Sequence, residues 1–240
     1  MPFISQITPL IFSLIFFKKI KEKYLKVFFV YTILLALIII TTFYVAVILK
    51  SKVAYYVIIN ISTLFEYCIL ALFFYYLLKN EILKKVILFS IIPFFIFASY
   101  IYFTSHKNVF NLNITIVHFI VFLVILGYYL VERLNNVTEK SFFNTISFRI
   151  CVGLLVYFAG NLFFLLYTPY IKDIELKNQM KLINAVVSVA KDCILAFAWF
   201  GTEPSATDAK IINIPDNLNF DKDFAELREN DRIQQNLKNQ

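Results

Sequence analysis

Apolar and polar positions do not alternate along this chain. The apolar ones form seven nearly unbroken runs, at 3–17, 27–49, 53–78, 86–103, 112–131, 150–170 and 182–200, separated by short polar clusters. A helix needs roughly 20 residues, within a range of about 17–25, to cross the hydrocarbon of a bilayer. Six of the runs reach that length and the first falls short of it. A transmembrane β-strand would alternate over about ten positions instead. A helix also satisfies its own backbone hydrogen bonds in lipid, with no partner segment. The pattern therefore predicts an all-α fold, a polytopic membrane bundle of seven transmembrane helices. The first run reads as a span and not as a cleavable signal: no basic residue precedes it, no small-residue cleavage site follows, and its positive flank at 18–26 comes after it. Pro93 lies inside the fourth run and predicts a kink there.

Past the seventh run the pattern ends, which divides the chain into a transmembrane domain at 1–200 and a polar, acidic C-terminal tail at 201–240. In that tail Phe220, Phe224 and Leu227 form one apolar stripe, which predicts a short amphipathic helix over 221–235. A tail this short is below the roughly 50 residues of the smallest domains, so it holds no catalytic output domain. A signal from this protein would have to pass to another chain.

Composition agrees with the runs: 60% of residues are hydrophobic and 16% charged, with mean hydropathy +0.73. Soluble domains carry roughly a quarter charged residues. The net charge of +7 does not point to nucleic acid, because the basic residues sit in short clusters between apolar runs, as in loops that face anionic headgroups. Counted in alternate loops and the tail, 16 Lys and Arg fall on one side and 6 on the other, with Lys191 inside a run. The richer side is the cytoplasmic one. This predicts an outside N-terminus, a cytoplasmic C-terminus and a multi-pass protein of a bacterial inner membrane. Cys68, Cys151 and Cys193 all lie in apolar runs with no CxxC pair, so they read as small buried hydrophobes.

Candidate chemistry comes from the ionisable residues at membrane depth, Glu66, His118, Lys191 and Asp192. A charge there costs roughly 2.5–3.5 kcal/mol even on the lenient insertion scale, so such groups face the bundle interior and find partners. Each sits among other polar residues at helical spacing. In the third run these are Asn60, Thr63, Glu66 and Tyr67; in the seventh, Asn184, Ser188 and Lys191, with Asp192 one step round. The fifth run adds Thr115 and His118, and the sixth adds Tyr157 and Asn161. Gly153 and Gly160, seven apart on the sixth, predict close approach of a neighbouring helix. The third, fifth, sixth and seventh helices are thus expected to enclose one polar pocket open to the outside. Two readings of its charges stay open. One is structural, with Glu66 paired to Lys191, or Lys191 to Asp192 or a carbonyl. The other is a ligand- or ion-binding site made of Glu66, Lys191, Asp192, His118, Asn161, Asn184, Thr63, Ser188 and Tyr157. No second His or Cys stands at ligand spacing from His118, so no metal is expected. The sequons at Asn60, Asn113 and Asn136 do not support glycosylation, since two lie within or at the edge of spans. No HExxH, GxSxG or Gly-rich phosphate loop occurs, and a non-enzymatic protein is expected.

Two stretches carry a resemblance. Residues 61–78, with Glu66-Tyr67 ahead of aromatic and aliphatic residues, and 156–166, VYFAGNLFFLL, are similar to a set of seven-helix membrane proteins of Bacteroidota. There the third helix carries a glutamate and the sixth a Tyr-Phe-small-Gly-Asn pattern. That resemblance implies a seven-helix fold and a sensory role beside a separate signalling protein. Ser188-Val189-Ala190-Lys191 looks like the lysine segment of microbial rhodopsins, which implies retinal on Lys191 as an alternative to having no cofactor. Against it, Val187 stands where the acidic residue four before the lysine is usual, the third run lacks the arginine and the Asp-Trp pattern, and the only tryptophan is Trp199. The expectation is a receptor- or sensor-like protein in contact with the lipid bilayer, acting through a cytoplasmic or membrane signalling partner at its tail. The alternatives are a transporter or proton-conducting protein and a structural subunit of a membrane complex.

Overall fold

A computed structural model describes residues 3–104, 111–135, 142–167, 170 and 173–202. The described residues all belong to one compact unit, Met1–Glu203. The amphipathic helix expected at 221–235 lies outside the described residues.

Among the described residues there are seven α-helices: α1 (Phe3–Ile15), α2 (Lys23–Tyr44), α3 (Lys52–Leu77), α4 (Glu81–Thr104), α5 (Leu112–Asn135), α6 (Ile146–Tyr167) and α7 (Ile174–Ala198). There is no strand among the described residues. Five of the helices, α2 to α6, are long and apolar enough to cross a membrane; α1 is apolar but only 13 residues long. α7 is long enough but less apolar, because Lys191 and Asp192 stand toward its C-terminal end and further charges in its first turns. The helical membrane-spanning class is therefore as expected.

Local chemistry sets the helix ends. Ser51 caps α3 by accepting from the Ala54 N–H, and Asp173 caps α7 by accepting from the Glu175 N–H. The Asn80 side-chain oxygen accepts from the N–H groups of Ile82 and Leu83 at the start of α4. α2 runs on through a five-residue π-helical turn, Val45–Leu49, and the chain then reverses at Lys50, which has φ of 49°. Pro93 lies within a continuous α4. Hydroxyls in the spans turn back onto their own helix. Ser13, Thr32, Ser62, Thr63 and Ser90 each donate to a carbonyl three or four residues earlier, and Ser90 also meets the Tyr67 hydroxyl of α3 at 2.8 Å.

The helices pack in a circle. α7 lies against α6 and α1, α1 against α2, and α2 against α3; α3 meets α5, and α5 meets α6. α4 packs on α3 and α5. The core is aromatic around α3, where Tyr67, Phe73, Phe74, Phe122 and Phe158 are all within 1% of full burial. Outward-facing side chains such as Ile82, Val124 and Phe103, up to 80% exposed, are as apolar as the core. Such a surface is stable against hydrocarbon and costly against water. At the C-terminal end of α7 the Lys19 ammonium donates to the carbonyls of Trp199 and Gly201, at 3.1 Å each. Beside it the Thr202 N–H donates to the Asn144 carbonyl. A cation there also complements the helix dipole.

Candidate functional site: a polar cavity among α1, α2, α3, α6 and α7

The α6–α7 contact positions the site. A Cβ on Gly160 would lie 2.6 and 2.9 Å from the two methyls of Val187, and one on Gly153 would lie 2.9 Å from Leu195 Cδ2. The two glycines therefore let α7 press directly onto α6, as their spacing implied. Val187 is taken up by this contact.

That packing brings Lys191 over the ring of Tyr157, with Nζ 4.6 Å from the centroid. Lys191 Nζ is 3.0 Å from Asp192 Oδ1, and both side chains are almost fully buried. Asp192 Oδ2 in turn accepts from the Ser5 hydroxyl of α1 at 2.9 Å. Across the bundle, Glu66 Oε1 accepts from the Tyr31 hydroxyl of α2 at 2.8 Å. Glu66 and Lys191 lie within electrostatic reach of one another, yet their separation exceeds the 4.0 Å of an ion pair. The ion pair at this depth is Lys191 with Asp192, one of the structural arrangements the sequence left open.

Between these groups runs a cavity of about 930 Å³. Glu66, Tyr157, Asn161, Asn184, Ser188 and Lys191 line it, and it reaches the turn at Lys50, Ser51 and Lys52. Its far wall is apolar, from Leu35, Ile38 and Ile39 of α2. Along α3, Glu66 is 14 residues from Lys52, about 21 Å at 1.5 Å per residue. The cavity thus runs from one end of the bundle to about mid-span. Asn161 donates to the Tyr157 carbonyl and Ser188 to the Asn184 carbonyl, while the Asn184 side-chain oxygen is buried with no hydrogen-bond partner.

Six of the nine candidate residues therefore line one cavity, and Asp192 sits directly behind Lys191. The other two stand apart. Thr63 is buried and donates to the Ile59 carbonyl, and it does not line the cavity. His118 is fully buried in an aromatic cage of Tyr67, Phe94, Phe119, Phe122 and Phe158, with neither ring nitrogen hydrogen-bonded. α5 contributes nothing to the cavity lining, and α1 and α2 close it instead. The sequence reasoning missed these two because their runs hold no ionisable residue at depth. A signal existed, however: Tyr31, Ser5 and Gln6 are polar atoms in otherwise apolar runs. Among the described residues no three His, Cys, Asp or Glu side chains gather. Compared with known proteins, the chain matches no family model, no curated protein and no solved structure.

Proposed function

We propose that this is a receptor-like membrane protein whose cavity binds a small polar ligand and which signals through a separate partner protein. In this reading all seven helices cross a bacterial inner membrane, the N-terminus outside and the C-terminus in the cytoplasm. α1 belongs to the spanning set because it closes the circle between α7 and α2. α7 belongs because Lys191 and Asp192 pair with each other, which offsets part of the cost of placing them in lipid. The asymmetry of 16 against 6 basic residues supports the orientation. It turns Lys50, Ser51 and Lys52, and with them the cavity mouth, toward the outside.

The observation that carries the reading is the cavity itself, since a purely structural ion pair needs no open path to its charges. Here about 930 Å³ of space leads to Glu66 and Lys191, within the roughly 300–1,000 Å³ of ligand pockets. The test is thermal unfolding of the purified protein in nanodiscs against a panel of small polar molecules. Binding raises the melting temperature of the wild type and not of Glu66→Gln. A double variant Glu66→Leu/Lys191→Leu that is as stable and active as the wild type removes the site and leaves a structural subunit.

A second reading, transport, is favoured by the π-helical turn Val45–Leu49 beside the mouth, because such irregular turns recur at functional sites. Flux through proteoliposomes that depends on Glu66 assigns this reading in place of the first.

A further inference from the structure

The charges around the cavity do not balance, and their order specifies what completes them. From α2 through α3 and α7 to α1 the groups are the Tyr31 hydroxyl, the Glu66 carboxylate, open space, the Lys191 ammonium, the Asp192 carboxylate and the Ser5 hydroxyl. Asp192 takes one ammonium donor of Lys191 and holds its own second oxygen on Ser5. An ammonium has three donors, so Lys191 keeps capacity toward the cavity. Glu66 has a neutral partner and, among the described residues, no cation within 4.0 Å. One carboxylate is thus left without a cation at a depth where lone charge is costly.

We infer that the gap takes a compact zwitterion of the α-amino-acid class, its ammonium on Glu66 and its carboxylate on Lys191. The site then reads as one alternating series of charges, negative, positive, negative, positive, negative, with each neighbour opposite in sign. The ends of the cavity disfavour simpler ions. Lys50 and Lys52 at the mouth repel a bare amine, and the unpaired Glu66 at the floor repels a bare carboxylate. A net-neutral molecule with both charges meets neither barrier. About 10 Å from Lys191 along α7, the buried Asn184 oxygen lacks a donor and offers a further acceptor on the cavity wall. The apolar wall of Leu35, Ile38, Ile39 and Ile59 fits an apolar side chain.

This assignment rests on the receptor reading above but fails separately from it. The full-length protein in nanodiscs is titrated calorimetrically with each of the twenty standard amino acids, with their amides and with the matching des-amino acids. The expected result is binding of at least one amino acid bearing an apolar side chain. Its amide and its des-amino analogue bind about tenfold to a hundredfold more weakly, each having lost one charge-assisted contact. Glu66→Gln weakens the amino acid by a similar factor and leaves the des-amino analogue bound as well as before or better, because the repelling charge is gone; Lys84→Gln, far from the cavity, changes nothing. An amine or an acid that binds as tightly as its zwitterionic parent overturns the zwitterion assignment and leaves the receptor reading standing. Binding of none of these molecules overturns the assignment outright, even if a different small molecule is later found to bind. Amino-acid binding accompanied by Glu66-dependent flux keeps the ligand class and discards the receptor in favour of transport.

Discussion

Replacing Gly160 with alanine tests whether α7 is held where it must be for Lys191 to reach the cavity. The new Cβ would stand 2.6 Å from one Val187 methyl, 2.9 Å from the other and 3.3 Å from Val187 Cβ. Carbon atoms pack best at about 3.5–4.0 Å, so the helices must part by about 1 Å. Rotation of Val187 gives no relief, because both methyls and Cβ crowd the same point and a β-branched side chain in a helix has one favoured rotamer. Overpacking of this kind costs about 1–3 kcal/mol. Alanine also gains up to about 1 kcal/mol in helix propensity over glycine, which must be removed from the comparison. Gly127 in α5 supplies the control, since a Cβ there meets nothing within 4 Å. Gly127→Ala is expected to be neutral or stabilising, and Gly160→Ala to lie about 1–3 kcal/mol below it in equilibrium unfolding in mixed micelles. The double variant Gly160→Ala/Val187→Ala recovers most of that difference. Equal stability of Gly160→Ala and Gly127→Ala, or no recovery in the double variant, refutes the close α6–α7 contact.

Other outcomes follow from the same geometry. Asp192→Asn leaves the nearly fully buried Lys191 ammonium without its ion-pair partner and is expected to cost about 3–5 kcal/mol, read as loss of folded protein after membrane extraction. Lys191→Met/Asp192→Leu removes both charges and restores much of it, and a double variant no better than the single would contradict the pairing. His118→Phe replaces two unpartnered ring nitrogens with one more aromatic edge in an aromatic cage, and stability is expected to rise by about 1 kcal/mol; a marked loss would mean that those nitrogens have partners. With the three native cysteines replaced, Ser51→Cys should react with an impermeant maleimide added outside intact cells, and labelling only after lysis would invert the topology.

The sequence carried the helical class and half of the site plainly, and the physical reasons differ. Runs of about 20 apolar residues leave the backbone one solution in lipid, so α2 to α6 followed from length and composition alone. The polar stripe of Asn184, Ser188 and Lys191 follows helical spacing, which fixes a face, so it was found. What helical spacing does not fix is rotation relative to neighbours. His118 and Glu66 both lie at depth, yet α3 turns Tyr67 toward α5 and Glu66 toward α2. That rotation leaves His118 among aromatic rings and gives the carboxylate to Tyr31. Likewise, adjacency along the chain outweighed matched depth: Lys191 took Asp192, its immediate neighbour, in preference to a glutamate across the bundle.

The pair of carbonyl bonds from Lys19 to the end of α7 has a mechanical consequence. A rod gripped at its tip cannot slide along its axis without breaking both bonds, but it can swing about that grip. Lys191 is eight residues from Trp199, a lever arm of about 12 Å. A small sideways pull on the ammonium therefore becomes a twist at the tip, the point from which the chain runs on past Thr202.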